Sequence, residues 1–247
     1  MDLGLNGRTA IVCGASSGIG LACAESLAAE GANVVMFARR RELLDREAAR
    51  LGALGVRGDV TDPRDLERVV ARAVEAFGGI DILVNNSGGP PRGPAVGLTA
   101  EQIESAVELL LISAVRLTEL CLVHLRESPA GRIINIESSS VREPLQSLAL
   151  SNAVRPGVVG WAKGLSQELG PDGITVNSIA TGQIDTDRLR ERYPSGPSAS
   201  DLQRIPLRRL GSPRELGDVV CFLASDRAAY VTGALIPVDG GLTRGLL

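Results

Sequence analysis

Three glycines in seven residues, Gly14, Gly18 and Gly20, stand between two apolar segments, and this spacing constrains the fold more than any other feature of the chain. Thr9–Cys13 is apolar and β-branched, as a buried strand requires. Over residues 18–30, Ile19, Cys23 and Leu27 recur near helical spacing, and Gly31 supplies the stop. A strand that turns through glycines into a helix brings free backbone N–H groups and the positive end of the helix dipole to one point. Such a turn suits a phosphate. At the head of a strand–helix series, the phosphate expected is the diphosphate of a dinucleotide.

The rest of the 247 residues keeps the alternation. Asn33–Ala38 reads as a strand, Arg41–Leu51 as a helix and residues 56–59 as a short strand. Asp62 and Pro63 are an N-cap and a first helical residue, opening a helix that ends near Gly78. Residues 81–85, 132–137, 174–179 and 234–238 complete seven strands. Helices are expected over 100–126, up to Leu169, and over Pro213–Ala224. Aromatics are only 2% of the chain, so Val, Ile, Leu and Ala must build the core. Near-continuous runs of these residues in the strands imply burial on both faces. The fold expected is an α/β Rossmann domain, a doubly wound seven-stranded parallel sheet with helices on both sides, in one unit over 1–247. Residues 183–211 break the rhythm, with Pro194, Pro197 and Pro206 in a polar stretch. A lid-like insertion is expected there.

A net charge of -3 gives no reason to expect a nucleic-acid partner or an anionic membrane surface. The start has no basic segment followed by an apolar one, and no apolar run reaches the ~20 residues of a membrane span. Cys13, Cys23, Cys121 and Cys221 form no Cys-x-x-Cys pair and read as reduced core residues. A cytoplasmic location is expected, and no metal site.

Gly14, Gly18 and Gly20 follow a Gly-x-x-x-Gly-x-Gly spacing, and in this the chain resembles the short-chain dehydrogenase/reductase family, with Cys13 where Thr is usual. Asn85-Asn86-Ser87-Gly88, Asp59-Val60, Thr181-Gly182-Gln183-Ile184-Asp185-Thr186 and the Val231–Gly241 end match further family motifs. The 3-oxoacyl-(acyl-carrier-protein) reductase branch is the nearest match. The resemblance implies a nicotinamide cofactor, a small-molecule substrate and a homotetramer. It assigns the cofactor to Gly14, Ser16, Ser17, Gly18, Ile19 and Gly20 on the loop, and its adenine to Asp59 and Val60. It assigns Asn86, Ser87, Gly88, Arg155, Thr181, Gly182, Ile184 and Thr186 to the remainder.

The second strand ends Ala38-Arg39-Arg40. An acid at that end would bond a ribose 2′-hydroxyl, whereas guanidiniums suit a 2′-phosphate. NADP(H) is therefore expected over NAD(H), although Ser17 occupies a loop position where a basic residue would help.

The family's proton donor is a Tyr in Tyr-x-x-x-Lys. The one Lys is Lys163 and the residue four before it is Val159, so the chain contains no such pair. The resemblance places Ser151 at the Tyr position, Arg155 at the Lys position, Ser138 at the catalytic Ser and Leu110 at a relay Asn. A Ser hydroxyl is a far weaker acid than a phenol, and Arg stays protonated. Ser138, Ser151 and Arg155 are the candidate catalytic set, acting as donors to an oxyanion. Ser151 and Arg155 share a helical face unless Pro156 starts the helix. Glu137 and Glu143 could donate if protonated but read as solvated carboxylates, His124 reads as structural, and Tyr193, within reach of a substrate from the insertion, reads as a surface residue. Two functions stay open: an NADP(H)-dependent oxidoreductase for a carbonyl/alcohol pair, and a non-catalytic NADP(H)-binding sensor or partner subunit.

Overall fold

A computed structural model describes residues 1–245, apart from the side chain of Arg192. Seven strands form one sheet in the order β3-β2-β1-β4-β5-β6-β7, with every neighbouring pair parallel. The strands are β1 (Thr9–Cys13), β2 (Asn33–Ala38), β3 (Leu54–Arg57), β4 (Ile82–Asn85), β5 (Arg132–Ser138), β6 (Thr175–Thr181) and β7 (Leu235–Val238). The period of two along each strand builds a core on each face. Ala10 and Val12 of β1 pack on one side with Cys23 and Leu27 of α1 (Gly18–Ala29), Leu44 of α2 (Arg41–Leu51) and Leu216 of α9 (Pro213–Ala224). Ile11 and Cys13 pack on the other with Leu66 of α3 (Pro63–Phe77), Leu117 of α5 (Ser113–Glu127) and Leu165 of α6 (Ala149–Glu168). This is the doubly wound α/β sheet expected.

The strand order reverses between β1 and β4, so Gly14 and Asn86 emerge side by side at the carboxyl edge, where such sheets bind ligands. The third strand lies two residues earlier than expected. Its ladder to β2 runs from Val35↔Leu54 to Ala38↔Arg57, and the strand ends there with Gly58 N donating to Ala38 O (3.0 Å). The long helix over 100–126 is three pieces: α4 (Ala100–Val107), a π-helical turn (Glu108–Ile112) and α5. Residues 183–211 are more ordered than an irregular lid, holding α7 (Asp187–Arg192) and α8 (Ala199–Gln203). Backbone bonds Asp185 N to Gly211 O (2.8 Å) and Gly211 N to Gln183 O (3.0 Å) close the base of this insertion. Pro156 does not start α6, which runs unbroken through it. All four cysteines are free and buried, and burial pushes the Cys13 thiol up to about 12. Among the described residues no helix is long and apolar enough to cross a membrane.

Candidate active site

The loop after β1 is built for close approach. Gly14 (φ 63°) and Gly18 (φ 57°) take left-handed backbone that a side chain would strain. A Cβ on Gly20 would collide with the Gly14 carbonyl oxygen and the Asn86 amide. The Asn86 amide donates to Cys13 O (3.1 Å), tying the ends of β1 and β4 together. Helix α1 begins without a side-chain cap from Ser17 and without an acid in its first turn. Its first N–H groups and its positive dipole end are left for an anion, so these residues fit a dinucleotide diphosphate.

Beside the loop, the Arg40 guanidinium donates to the Ser17 hydroxyl, and Arg39 Nη1 lies 3.6 Å from Asp59 Oδ2. Arg40 thus brings a cation to the loop position where Ser17 itself has none. Asp59 Oδ1 accepts from the Thr61 N–H (3.0 Å) and hydroxyl (2.9 Å), which orients its carboxylate beside Val60. Across the cleft, the Thr186 methyl packs toward Gly18, so the start of the insertion meets the loop. Val60, Asn86, Ser87, Leu110 and Glu137 line one small cavity at the switch point. Leu110, at the relay position, lies in the π turn and is buried.

The candidate catalytic set is joined differently from expectation. Arg155 Nε donates to Ser151 Oγ (3.1 Å), so the two share a face of α6. The Ser151 hydroxyl pairs with Ser140 Oγ at 3.1 Å. Ser138 accepts from the Ser140 N–H (3.2 Å), and among the described residues no hydrogen bond joins it to Ser151. Arg155 Nη1 donates to Ile136 O (3.3 Å) and to Glu137 Oε2 (2.9 Å). Glu137 is therefore not a solvated carboxylate: it sits at the end of a strand covered on both faces, where its side chain can be only 6% exposed. Burial pushes its carboxyl above the usual range, while the Arg155 guanidinium pulls against that. Thr181 anchors the same strand end by donating to Glu137 O (2.8 Å). Ser140 and the partnership of Glu137 were missed in the sequence. The signals present were the triple serine 138–140 and a lone acid after Ile133, Ile134 and Ile136.

The other candidates lie elsewhere. Glu143 is half-buried and accepts from the Arg244 N–H (2.6 Å) and Gly245 N–H (3.2 Å). His124 sits in the last turn of α5, 3.9 Å from Glu127. The Tyr193 hydroxyl donates to Asp201 Oδ1 (3.4 Å), linking the residues after α7 to α8.

The family described as Enoyl-(Acyl carrier protein) reductase matches residues 14–243. The 3-oxoacyl-(acyl-carrier-protein) reductase FabG of Vibrio cholerae is 36% identical over 244 residues, covering 97% of this chain and 99% of that protein. Its counterpart in Escherichia coli is 37% identical over 242 residues, covering 97% and 99%. The crystal structure of L-sorbose reductase from Gluconobacter frateurii, complexed with NADPH and L-sorbose, has a TM-score of 0.94 at 34% identity and covers 100% of both chains.

Proposed function

We propose that this chain, which belongs to the short-chain dehydrogenase/reductase family of oxidoreductases, takes NADP(H) in preference to NAD(H) and acts on a carbonyl/alcohol pair without a Tyr-x-x-x-Lys pair. The observation that carries the reading is the uncapped start of α1 with Arg40 bonded to Ser17 beside it. Gly14, Ser16, Ser17, Gly18, Ile19 and Gly20 hold the diphosphate, and Arg39 and Arg40 hold the 2′-phosphate. Asp59 and Val60 take the adenine. Asn86, Ser87, Gly88, Thr181, Gly182, Ile184 and Thr186 bound the nicotinamide end, next to Arg155.

When bound, the cofactor supplies or accepts a hydride. The chain's own part is to position the carbonyl and to stabilise the oxygen that becomes negative. Ser151, bonded to Ser140 and backed by Arg155, is the donor to that oxygen, and the Ser138 hydroxyl stands at the adjoining strand end. Ser151 stands where the family has its phenol, and a positioned general acid is typically worth ~10²–10⁴-fold, so slow turnover is expected. The homotetramer and cytoplasmic location implied by the resemblance belong to the same proposal.

One observation favours the second reading, a cofactor-binding sensor or partner subunit. The Arg155 charge is matched by Glu137 instead of being left free for a ribose or a substrate. Stopped-flow NADPH oxidation against a panel of aldehydes and ketones separates the two. A single-turnover rate that is lost in Ser151→Ala, with NADPH affinity retained, supports the oxidoreductase. Absence of turnover in the natural chain, with turnover gained by Ser151→Tyr plus Arg155→Lys, supports the sensor.

A further inference from the structure

Strands β4, β5 and β6 are neighbours in the sheet and end at the same edge, and the segment after each one carries an arginine: Arg92, Arg142 and Arg188. Among the described residues, none of these three has a carboxylate oxygen within 4.0 Å. Arg188 lies on α7 of the insertion and reaches across to the segment after β4. Its Nη2 donates to Pro90 O at 3.4 Å, and a Cβ on Gly89 would collide with its guanidinium. Arg92 Nη2 approaches Ser147 Oγ at 3.5 Å. That contact sits where the segment after β4 is clipped to the approach of α6, by Gly93 N to Ser147 O at 3.0 Å and an isolated bridge between Gly93 and Leu148. Ser151 lies one helical turn further on. A recess of about 160 Å³, lined by Arg92, Pro94, Val96, Leu98 and Leu150 among others, opens beside Arg92.

These guanidiniums lie close enough to act on one another. Partial burial, then Arg155 and Arg92, hold the Arg188 guanidinium below its usual range, with Glu191 pulling the other way. The Arg155 charge is met directly by Glu137, whereas neither Arg92 nor Arg188 has a carboxylate oxygen within 4.0 Å among the described residues. Arg142 Nε, and Oε1 of Gln183 at the start of the insertion, are buried without a hydrogen-bond partner among the described residues. Like charges gathered at a cleft raise the local potential for an anion, and forked guanidinium donors match carboxylate and phosphate oxygens.

We propose that Arg92 and Arg188 form an oxyanion subsite at the mouth of the cleft, which takes the carboxylate or phosphate of an acidic carbonyl substrate. The recess beside Arg92 takes the carbon chain. This deepens the reading above and rests on it for the carbonyl alone, since an anion site exists whether or not hydride is transferred. The competing source of the same chemistry is the cofactor's own diphosphate.

Calorimetric titration of the full chain with levulinate and with its methyl ester, each with and without saturating NADPH, tests the subsite. The acid is expected to bind at least tenfold more tightly than the ester. Arg188→Gln and Arg92→Gln are each expected to remove most of that preference while leaving the NADPH Kd within twofold. Equal affinity for acid and ester overturns the proposal, as does a preference that survives both substitutions. A tenfold rise in the NADPH Kd of Arg188→Gln, with acid affinity unchanged, also overturns it and assigns the guanidinium to the cofactor. Tight acid binding with no NADPH oxidation by levulinate or by any of the aldehyde and ketone panel supports the subsite and sinks the oxidoreductase reading instead.

Discussion

Arg155 Nη1 lies 2.9 Å from Glu137 Oε2, and the two side chains are only 9% and 6% exposed. Removing one member of a buried ion pair leaves the other charged, desolvated and alone. Glu137→Ala is expected to lower the urea-unfolding free energy by about 3–5 kcal/mol. Glu137→Leu combined with Arg155→Met is expected to recover most of that loss, because the combination removes both buried charges. A loss below about 1 kcal/mol for Glu137→Ala, the range of exposed pairs, is incompatible with the buried pair.

Arg39 and Arg40 stand at the cleft end of β2, paired to Asp59 and Ser17. Their joint replacement by Ala is expected to raise the NADPH Kd about ten- to a hundredfold, equivalent to about 1.4–2.8 kcal/mol. NADH affinity should stay within twofold. Fluorescence titration of both cofactors measures this, and a parallel weakening of NADH would remove the 2′-phosphate from the account.

Gly20→Ala places a methyl against Gly14 O and the Asn86 amide. Overpacking of this kind typically costs about 1–3 kcal/mol. The loop must shift to relieve it, so NADPH affinity is expected to fall at least tenfold. Gly79→Ala, with nothing within 4 Å of the added carbon, is the matched control and should change neither stability nor affinity. Thermal unfolding and NADPH titration of both variants provide the comparison.

Glu215 receives two bonds from the Arg209 guanidinium, at 2.8 and 2.6 Å, and one from the Ser212 N–H at 2.8 Å. Arg209 first, then the Ser212 N–H, holds its carboxyl at about 2. The folded value lies below the unfolded one of about 4.3, so this stabilisation is present above that pH and is lost as pH falls toward 2. Because the pair is about half exposed, its contribution should stay under about 1 kcal/mol. The stability difference between the natural chain and Glu215→Gln is therefore expected at pH 7 and to vanish near pH 2. A difference independent of pH would refute the charge as its origin.

The sheet was legible because apolar runs, glycine stops and the cap at Asp62 all report local physics. The two-residue offset of β3 was not, since the ladder to β2 decides which residues of that segment pair. The π turn at Leu110 escaped because one extra residue in a helical turn barely alters an apolar pattern running Leu109-Leu110-Leu111. Helix α8 had a readable cap, Ser198 with Asp201, hidden among prolines. In the site, the glycine loop and Arg39–Arg40 were readable by position. Ser140 against Ser151, and Glu137 against Arg155, were not. Those partners are 11 and 18 residues apart and meet only once β5 and α6 have packed.

The uncapped beginning of α1 carries a consequence for the lifetime of the chain. Helix α1 has neither a side-chain cap nor an acid in its first turn, so an incoming anion can complete its first N–H groups. A ligand that binds only the folded state adds RT ln(1 + [L]/Kd) to its stability, about 2.7 kcal/mol at a hundredfold excess over Kd. Protein made when the dinucleotide is scarce would open more often at this end and be cleared faster by proteases. Its abundance would then follow the size of the reduced and oxidised cofactor pool, independently of any substrate it turns over.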